Sequence, residues 1–203
     1  MEDLVRRQLA QSVATMQAVL ADGDIHATLV RAAELTAHAM QSGRKLLVAG
    51  NGGSAADAQH LVAEFVVRLA VNRRALPAIA LTTDSSILTA AANDWHFDRI
   101  FSRQIEALGQ PGDVFLGIST SGNSKNIVAA LEAAKKIGIT TIGLSGNDGG
   151  TMSSLCDHCI VIPSDVTMNI QESHLALEHI YCMVVERYYF GADFGSKPQQ
   201  LAE

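Results

Sequence analysis

The stretch of sequence that best predicts the fold is Lys45-Leu46-Leu47-Val48-Ala49-Gly50-Asn51-Gly52-Gly53-Ser54. Residues 46–49 are apolar throughout, which is typical of a strand that is covered by helices on both faces. Glycines crowd the turn that follows, and a segment of helical length begins near Ala55. A buried strand, a glycine turn and a helix together form the repeating unit of a parallel sheet with crossover helices.

The same alternation continues towards the end of the chain, which predicts an α/β fold. Short apolar runs end in Gly, Ser, Thr or Asp and are followed by segments of helical length, among them Lys125–Lys136 and a long last helix over Met168–Tyr189. A polar tail follows the last helix. The predicted strands are Leu46–Ala49, Ala78–Leu81, Val114–Ile118, Thr141–Leu144 and Ile160–Ile162.

Two amphipathic helices are predicted before the first strand, over Leu4–Leu20 and His26–Gln41, separated by Asp22-Gly23-Asp24. Because no strand lies between them, we expect both helices to pack outside the α/β core. These extra helices, together with the chain's hydrophobic content of 48%, favour a homo-oligomer that is packed through helices.

The length and charge of the chain restrict its domain count and its partners. With 203 residues we expect one domain over 1–203, with N-terminal helices in about 1–43 and the core and last helix in about 44–190. A net charge of −6 argues against nucleic acid or an anionic membrane as the main partner, since both require clustered basic residues. We find no signal peptide and no apolar run of the roughly 18 residues that cross a membrane, which predicts a cytoplasmic location.

The three cysteines fit a reducing compartment better than a disulfide framework, because an odd number cannot all pair within one chain. Cys156-Asp157-His158-Cys159 is a C-x-x-C motif, for which zinc binding or redox chemistry is an alternative. No second Cys/His pair at zinc-site spacing accompanies this motif, and an apolar strand follows it directly. We therefore interpret Cys156 and Cys159 as two half-buried structural residues.

Two strand-to-helix turns are candidate ligand sites, because doubly wound sheets bind ligands outside the carboxyl ends of their strands. The glycine loop, residues 50–54, lets a ligand approach the backbone, and N–H groups at the following helix start favour an anion or a polyhydroxylated group. The serine loop, Ser119-Thr120-Ser121-Gly122-Asn123-Ser124, offers hydroxyls and N–H groups that suit the oxygens of a phosphate. An ordinary helix N-cap is the simpler interpretation, but it requires only one hydroxyl.

The remaining glycine-rich segments do not indicate a further ligand site or a nucleotide-binding motif. Residues 145–150 resemble the serine loop, but a short, weak helix follows them, and we interpret them mainly as a turn. The chain has neither a G-x-G-x-x-G nor a G-x-x-x-x-G-K-[ST] motif, which argues against binding of dinucleotides or nucleoside triphosphates.

Candidate metal ligands lie on two of the predicted helices. His60 and Glu64 are four residues apart and therefore share a helix face. Gln171 and His179 on the last helix also share a face, since eight residues place them about 80° apart. Histidine and carboxylate suit zinc, whereas a glutamine oxygen is a weak ligand that would leave the site open or exchangeable.

Spacing alone does not separate a metal site from an ordinary surface pair. A histidine and a glutamate four residues apart on a helix are usually a solvated pair. His174 and Glu178 on the last helix have the same spacing, with no evident claim to chemistry.

Taken together, these motifs closely resemble those of the phosphoheptose isomerases, in order and spacing, over nearly the whole chain. The matching segments are Gly50-Asn51-Gly52-Gly53-Ser54-Ala55-Ala56-Asp57-Ala58-Gln59-His60, Glu64, Asn93-Asp94, Ser119-Thr120-Ser121-Gly122-Asn123-Ser124, and Gln171-Glu172 with His179. The resemblance implies the sugar isomerase (SIS) fold, a flavodoxin-like five-stranded parallel sheet between helices. It also implies a homotetramer with active sites at the subunit interfaces.

The function implied by the resemblance is conversion of D-sedoheptulose 7-phosphate to D-glycero-D-manno-heptose 7-phosphate. This is the first step towards the nucleotide-activated heptose of lipopolysaccharide or other surface glycans. The resemblance further implies one zinc ion per subunit, with His60, Glu64, Gln171 and His179 as ligands. The residues implied to line the sugar phosphate are Asn51, Gly52, Gly53, Ser54, Glu64, Asn93, Asp94, Ser119, Thr120, Ser121, Ser124 and Gln171, with the serine loop on the phosphate.

An aldose–ketose isomerisation requires a base that removes the proton from C1 and an acid that returns a proton at C2. We assign Glu64 as the general base and His179 as its general acid partner. A carboxylate bound to zinc is less basic. Either the substrate displaces Glu64 from the metal, or the metal mainly organises the site and polarises the oxygens.

Two positions depart from the family pattern. Asn169 stands where an arginine is usual. Val67 stands where a glycine is common, directly before the arginine matched by Arg68. Both differences bear on how the sugar chain or a subunit contact is arranged.

Two other functions compete with the isomerase. A non-catalytic relative binds the bacterial replication initiator protein, but it has no need of Glu64 and His179. A regulatory SIS domain that senses a sugar phosphate would usually be fused to a DNA-binding module, and no helix-turn-helix or basic patch is evident.

Overall fold

The computed structural model describes residues 1–195, in which five strands form one parallel sheet in the order β2-β1-β3-β4-β5. Leu46 of the central part of the sheet pairs with Ala78 on one side and with Val114 on the other. This sheet between helices confirms the predicted fold class, and the end of the predicted polar tail lies outside the described residues. The strands are β1 (Leu46–Ala49), β2 (Ala78–Ala80), β3 (Val114–Ser119), β4 (Thr140–Gly146) and β5 (His158–Ile162).

Helices occupy both faces of the sheet, and their predicted bounds are close to the observed ones. A short 3₁₀ turn at Phe97–Arg99 lies between the fourth and fifth helices. The helices are α1 (Glu2–Ala21), α2 (Gly23–Gln41), α3 (Gly53–Val66), α4 (Ser85–Asp94), α5 (Ser102–Leu108), α6 (Lys125–Ile137), α7 (Gly150–Leu155) and α8 (Thr167–Phe190). None of the helices within residues 1–195 is long and apolar enough to cross a membrane.

Strand β4 is longer than predicted because its polar end is paired on both sides. Ser145 pairs with Ser119 of β3, and Gly146 pairs with Ile162 of β5. Serine and glycine at the end of an apolar run suggest a turn, whereas pairing with two neighbours depends on the whole sheet. The turn predicted at 145–150 therefore begins two residues later, and the short helix α7 follows it as expected.

Two hydrophobic cores lie on opposite faces of the sheet, and β1 contributes to both. Leu46 and Val48 belong to the core beneath α2, α3 and α8, while Leu47 and Ala49 belong to the core beneath α5 and α6. Successive strand side chains point to opposite faces, so a strand buried on both faces must be apolar at every position. The buried residues of β1 confirm this interpretation.

The expectation that both N-terminal helices lie outside the core is wrong for α2. Ile25, Leu29 and Ala33 of this helix are buried with residues of α3 and α8 in the first core. In α1, by contrast, only Thr15 and Val19 are buried. Amphipathic patterns of similar strength precede β1 in both helices, and only tertiary packing decides which apolar face is covered within the chain.

Candidate active site

Helices α3 and α8 pack on the same face of the sheet and bring three of the predicted metal ligands together. The Nε2 atom of His60 lies 2.8 Å from the Nε2 atom of His179. It also lies 3.5 Å from Oε1 of Glu64, one helical turn further along α3. All three side chains are half-buried, so they are reachable from solvent and still partly shielded from it.

The local sequence explains why α3 presents these groups at the edge of the sheet. Gly52, which precedes the helix, has a positive φ of 56° that L side chains rarely adopt. This turn starts α3 directly after β1, at the carboxyl end of the strand. His60 and Glu64 then lie on one face of α3, where they meet His179 of α8.

The residues present fit a zinc ion by donor type and by separation. One atom each from His60, Glu64 and His179 lies within 4.8 Å of the others. Zinc–nitrogen bonds of about 2.0 Å in a tetrahedral site place ligand atoms about 3.3 Å apart. Small rotations of these side chains therefore suffice to surround one ion, which makes this cluster a candidate metal centre.

The fourth predicted ligand, Gln171, lies against the glycine loop. A Cβ atom built on Gly53 would lie only 2.4 Å from Nε2 of Gln171. The absence of a side chain at Gly53 therefore makes room for the Gln171 amide. This contact links the start of α3 to the start of α8, which are the two helices that carry the histidines.

The serine loop gathers its hydroxyls at the N-terminus of α6. The hydroxyl of Ser119 donates to Oγ of Ser124 at 2.9 Å and lies 3.5 Å from Oγ of Ser121. Ser124 is the N-cap residue of α6, yet its side chain makes no capping hydrogen bond. The arrangement therefore suits a bound anion better than the simple N-cap interpretation. Thr120 follows Ser119, and its carbonyl accepts a hydrogen bond from Asn147 Nδ2 at 3.1 Å.

An open cleft of about 800 Å³ borders the serine loop at the carboxyl ends of the strands. Ser121 and Asn123 line one side, and Asn147 and Ser164 lie among the residues around it. None of the His60, Glu64 and His179 side chains lines this cleft within the isolated chain.

Asn51 is engaged in a contact that the sequence did not predict. Its Nδ2 donates to Oδ1 of Asn126 at 2.9 Å, and Nδ2 of Asn126 donates back to Oδ1 of Asn51 at 2.8 Å. Asn126 is buried in the first turn of α6. This reciprocal amide pair joins the glycine loop to the start of the helix that follows the serine loop. A single asparagine after a lysine gave no sequence signal for this role.

The remaining predicted site residues are placed at helix ends. Ser54 is buried in the first turn of α3. Asn93 and Asp94 are exposed at the end of α4, where Asn93 Nδ2 donates to Asp94 Oδ1 at 2.9 Å. Within residues 1–195, neither Asn93 nor Asp94 is hydrogen-bonded to the serine loop or to the His60 cluster. Val67, which departs from the family pattern, is the exposed C-cap of α3, whereas Asn169 is buried in α8.

Further polar groups lie close to the candidate metal centre, and one of them, Glu178, is fully buried. Glu178, the neighbour of His179, is 1% exposed, and neither of its carboxyl oxygens has a hydrogen-bond partner among the described residues. Burial, reinforced by the nearby Asp57 carboxylate, raises the pKa of Glu178 to about 9. Burial also raises the pKa of Asp57, against the opposing effect of His60.

His174 is part of the same buried region. Its Nε2 hydrogen-bonds to the carbonyl of Ser145 at 3.0 Å. Burial lowers the pKa of His174 to about 4, although this hydrogen bond opposes the shift. His174 and Glu178 have the same i, i+4 spacing as His60 and Glu64, but both are buried in α8.

The C-x-x-C motif connects the end of α7 to β5. Cys156 ends α7, Cys159 lies in β5, and both are half-buried free thiols. A hydrogen bond donated by the Cys156 thiol to Cys159, together with burial, raises the pKa of Cys156.

Comparison with known proteins identifies the family. A sequence model of the SIS domain matches residues 9–146, which is more than half of the chain. The chain is 48% identical over 196 residues to the phosphoheptose isomerase of Aneurinibacillus thermoaerophilus, covering 97% of this chain and 99% of that protein. It is 60% identical over 158 residues to the phosphoheptose isomerase of Geotalea daltonii, covering 78% of this chain and 82% of that protein.

A solved structure agrees with these sequence relatives. The phosphoheptose isomerase of Neisseria gonorrhoeae superposes with a TM-score of 0.86 at 40% identity, covering 91% of this chain and 98% of that one. The sequence similarity, the shared fold and the convergence of His60, Glu64 and His179 on two helices point to the same conclusion. The chain belongs to the phosphoheptose isomerase family and carries the SIS fold.

Proposed function

We propose that this protein is an aldose–ketose isomerase that converts D-sedoheptulose 7-phosphate to D-glycero-D-manno-heptose 7-phosphate. The observation that carries the proposal is the convergence of His60, Glu64 and His179 in a chain of the phosphoheptose isomerase family. We assign the reaction to the first step of activated-heptose synthesis, for lipopolysaccharide or another surface glycan, in the cytoplasm.

The serine loop is proposed to hold the phosphate of the substrate. Ser119, Ser121 and Ser124 place three hydroxyls together at the start of α6. A helix N-terminus favours an anion through its partial positive charge and its N–H groups. The glycine loop follows β1, the strand next to β3, so the sugar chain would extend from the serine loop towards α3.

Glu64 and His179 are proposed to move the protons. Glu64 removes the proton from C1 of the ketose and O2 takes up a proton, which leaves an enediol between C1 and C2. A proton is then returned to C2 by His179 or by the protonated Glu64, while the hydroxyl proton at O1 is released and the C1 aldehyde forms. The half-buried setting of both groups limits competition from water.

The metal site is proposed to bind one zinc ion per subunit through His60, Glu64, Gln171 and His179. Donor type and separation support this assignment for His60, Glu64 and His179. A zinc ion held there would act as a Lewis acid that polarises the oxygens at C1 and C2. Because Glu64 is also the proposed base, we expect it to act as a base only when it is not bound to the metal.

The proposed assembly is a homotetramer in which subunit contacts complete the active site. Exposed apolar residues of α1 support an oligomer, since such a stripe is unfavourable in water. The non-catalytic alternative, binding of a replication initiator protein, is not favoured, because Glu64 and His179 are retained and brought together.

The test is an assay of the purified protein with sedoheptulose 7-phosphate, in which the aldose product is followed by NMR. The reaction is run after chelator treatment and again with added zinc. Product that forms only with zinc supports both the reaction and the four-ligand site. Product that forms equally well without zinc supports the reaction but shows that it needs no metal. No product under either condition, from folded oligomeric protein, would overturn the isomerase.

A further inference from the structure

Arg73, in the segment between α3 and β2, makes a set of buried contacts at the C-terminal end of α3. Its Nη2 donates to the backbone carbonyl of Glu64 at 2.7 Å, and its Nη1 donates to the carbonyl of Phe65 at 2.7 Å. The carbonyls in the last turn of a helix have no partner within the helix. Arg73 supplies a partner for the Glu64 carbonyl, while the Phe65 carbonyl also accepts from the N–H of Leu76 at 3.0 Å. A positive charge is also favourable at this end of a helix.

The same guanidinium reaches the neighbouring helix. Nε of Arg73 donates to Oε1 of Glu186 on α8 at 2.7 Å. The Arg73 side chain is 1% exposed and the Glu186 side chain 5% exposed, so this is a buried ion pair. A planar fork of donors suits such simultaneous contacts, which lysine, with a single ammonium group, does not reproduce.

The position of Glu186 relates these contacts to the metal cluster. Glu186 follows His179 by seven residues, which is about two helical turns, so the two side chains lie on one face of α8. Arg73 therefore connects the backbone of Glu64 itself to the face of α8 that carries His179. At the other end of the same pair of helices, Gln171 lies against Gly53.

We infer that Arg73 is a positioning residue for the isomerase reaction: with Glu186 it sets the register of α3 against α8, and so the placement of Glu64 relative to His179. The inference rests on the proposed function for the identity of the reaction. Arg73 does not touch the serine loop in the structure, so substrate affinity and the chemical step should respond differently to its loss. A misplacement of about 1 Å is enough to slow a reaction about 100-fold.

The test replaces the ion pair by an apolar pair of similar volume, Arg73→Met with Glu186→Met. Removal of one partner alone would leave a buried unpaired charge, whereas apolar replacement of a whole buried pair is often neutral for stability. We expect the melting temperature to stay close to that of the wild type. We expect kcat for sedoheptulose 7-phosphate to fall at least about tenfold while KM changes less than about twofold.

Cobalt binding provides a readout that does not depend on turnover. Co²⁺ titrated into metal-free protein reports ligand geometry through its visible absorption. Loss of a residue that orients metal ligands typically weakens binding by about 10- to 100-fold. We expect weaker Co²⁺ binding and an altered spectrum in the double variant. Wild-type kcat together with a wild-type Co²⁺ titration would overturn the inference.

Lys45→Met with Asp113→Asn is the matched control, because it likewise removes both charges of an ion pair, 2.6 Å apart, that lies between the starts of β1 and β3. An equal loss of kcat and of Co²⁺ binding in this control would show a general effect of a lost ion pair and overturn the inference. A wild-type protein without turnover would instead refute the proposed reaction, and the Co²⁺ titrations would still decide the role of Arg73.

Two single variants decide the question if the double variant does not fold. Glu186→Gln keeps an oxygen that accepts from Nε of Arg73, whereas Glu186→Ala removes it. Both are assayed below their melting temperatures. The inference predicts a higher kcat and tighter Co²⁺ binding for Glu186→Gln than for Glu186→Ala, and equal values in the two variants would overturn it.

Discussion

Glu64 has two proposed tasks, metal binding and proton removal, and both depend on its carboxylate. Its Oε1 lies 3.5 Å from Nε2 of His60, and the side chain is 17% exposed. Replacement by glutamine keeps the size of the side chain and removes the base.

We expect Glu64→Gln to lower kcat by at least about 100-fold, because general acid–base catalysis typically contributes that much or more. Folding, measured by circular dichroism, and binding of inorganic phosphate, measured by calorimetry, should stay close to the wild type. Glu132→Gln on the exposed face of α6 is the control. Wild-type turnover by Glu64→Gln would refute the assigned mechanism.

Glu178 makes the stability of the protein depend on pH. Its pKa is raised from 4.5 to about 9, so the folded state binds this proton more tightly than the unfolded state does. The resulting stability is complete below pH 4.5 and is lost progressively as the pH rises towards 9. His174, with its pKa lowered to about 4, acts in the opposite direction, because the unfolded state then binds the extra proton between pH 4 and 6.5.

We therefore expect Glu178→Gln to stabilise the protein at neutral and alkaline pH. The increase in the free energy of unfolding should be roughly 3 kcal/mol near pH 7 and should vanish near pH 4.5, since one pKa unit corresponds to about 1.4 kcal/mol. Urea unfolding at pH 5, 7 and 9 measures the difference. A gain that does not change with pH would contradict the burial of an ionisable carboxyl at this position.

At the scale of the elements, the proposed phosphate site depends on the junction between the serine loop and the start of α6. Ser124 begins α6 without capping it through its side chain. Loss of a hydrogen bond to a charged ligand costs about 1.5–3 kcal/mol, whereas loss of an N-cap costs about 1 kcal/mol of stability.

These costs predict that Ser124→Ala raises KM for the sugar phosphate about tenfold or more and leaves the melting temperature nearly unchanged. Steady-state kinetics and a thermal scan separate the two effects. Ser12→Ala in α1 is the control, since that hydroxyl only bonds to the carbonyl of Gln8. A lower melting temperature with wild-type KM would identify Ser124 as an ordinary cap.

Gly53 tests the contact between the start of α3 and Gln171. An alanine Cβ at this position would lie 2.4 Å from Nε2 of Gln171 and must displace that side chain. Alanine is otherwise a better helix former than glycine by about 1 kcal/mol.

We therefore expect Gly53→Ala to keep or raise thermal stability while it weakens zinc binding and lowers turnover. Gly23→Ala is a closely matched control, because Gly23 also begins a helix and has nothing within 4 Å of its added Cβ. Zinc affinity measured by competition with a chelator compares the two variants. Equal affinities would remove Gln171 from the proposed ligand set.

At the scale of the whole molecule, α1 exposes an apolar stripe that is not covered by any part of residues 1–195. Val5, Leu9, Val13 and Leu20 are exposed at spacings close to helical turns. Beside them, an apolar groove of about 330 Å³ runs between α1, α2 and α8. Contiguous apolar surface of this kind commonly marks a protein–protein interface.

We expect light scattering at micromolar concentration to show a homo-oligomer, in agreement with the proposed tetramer. Val13→Glu should shift the protein towards smaller species, because burial of an unpaired carboxylate at an interface is unfavourable. Gln11→Glu on the same helix is the control for added charge. A wild-type monomer would refute the oligomer and the proposed shared active site.

Much of the fold could be predicted because it depends on local patterns. The apolar run at 46–49 and the glycine turn after it predict a buried strand and a helix start, and the observed bounds agree. The burial of α2 could not be predicted in this way. Its apolar stripe resembles that of α1, but α2 packs against both α8 and β5, whereas α1 packs only partly against α8 and has only Thr15 and Val19 buried.

The chain's own sequence determined the candidate residues of the site: His60 with Glu64, Gln171 with His179, and the hydroxyls of the serine loop. Residue type and helical spacing made these residues candidates, because both follow from the geometry of one helix or one loop, and the family resemblance implied their roles. The tertiary structure alone decided which pairs meet and which are buried. It placed His60 beside His179, buried Glu178, and joined Arg73 to Glu186. Such contacts depend on the register between packed helices, which involves residues far apart in the chain and leaves no local pattern.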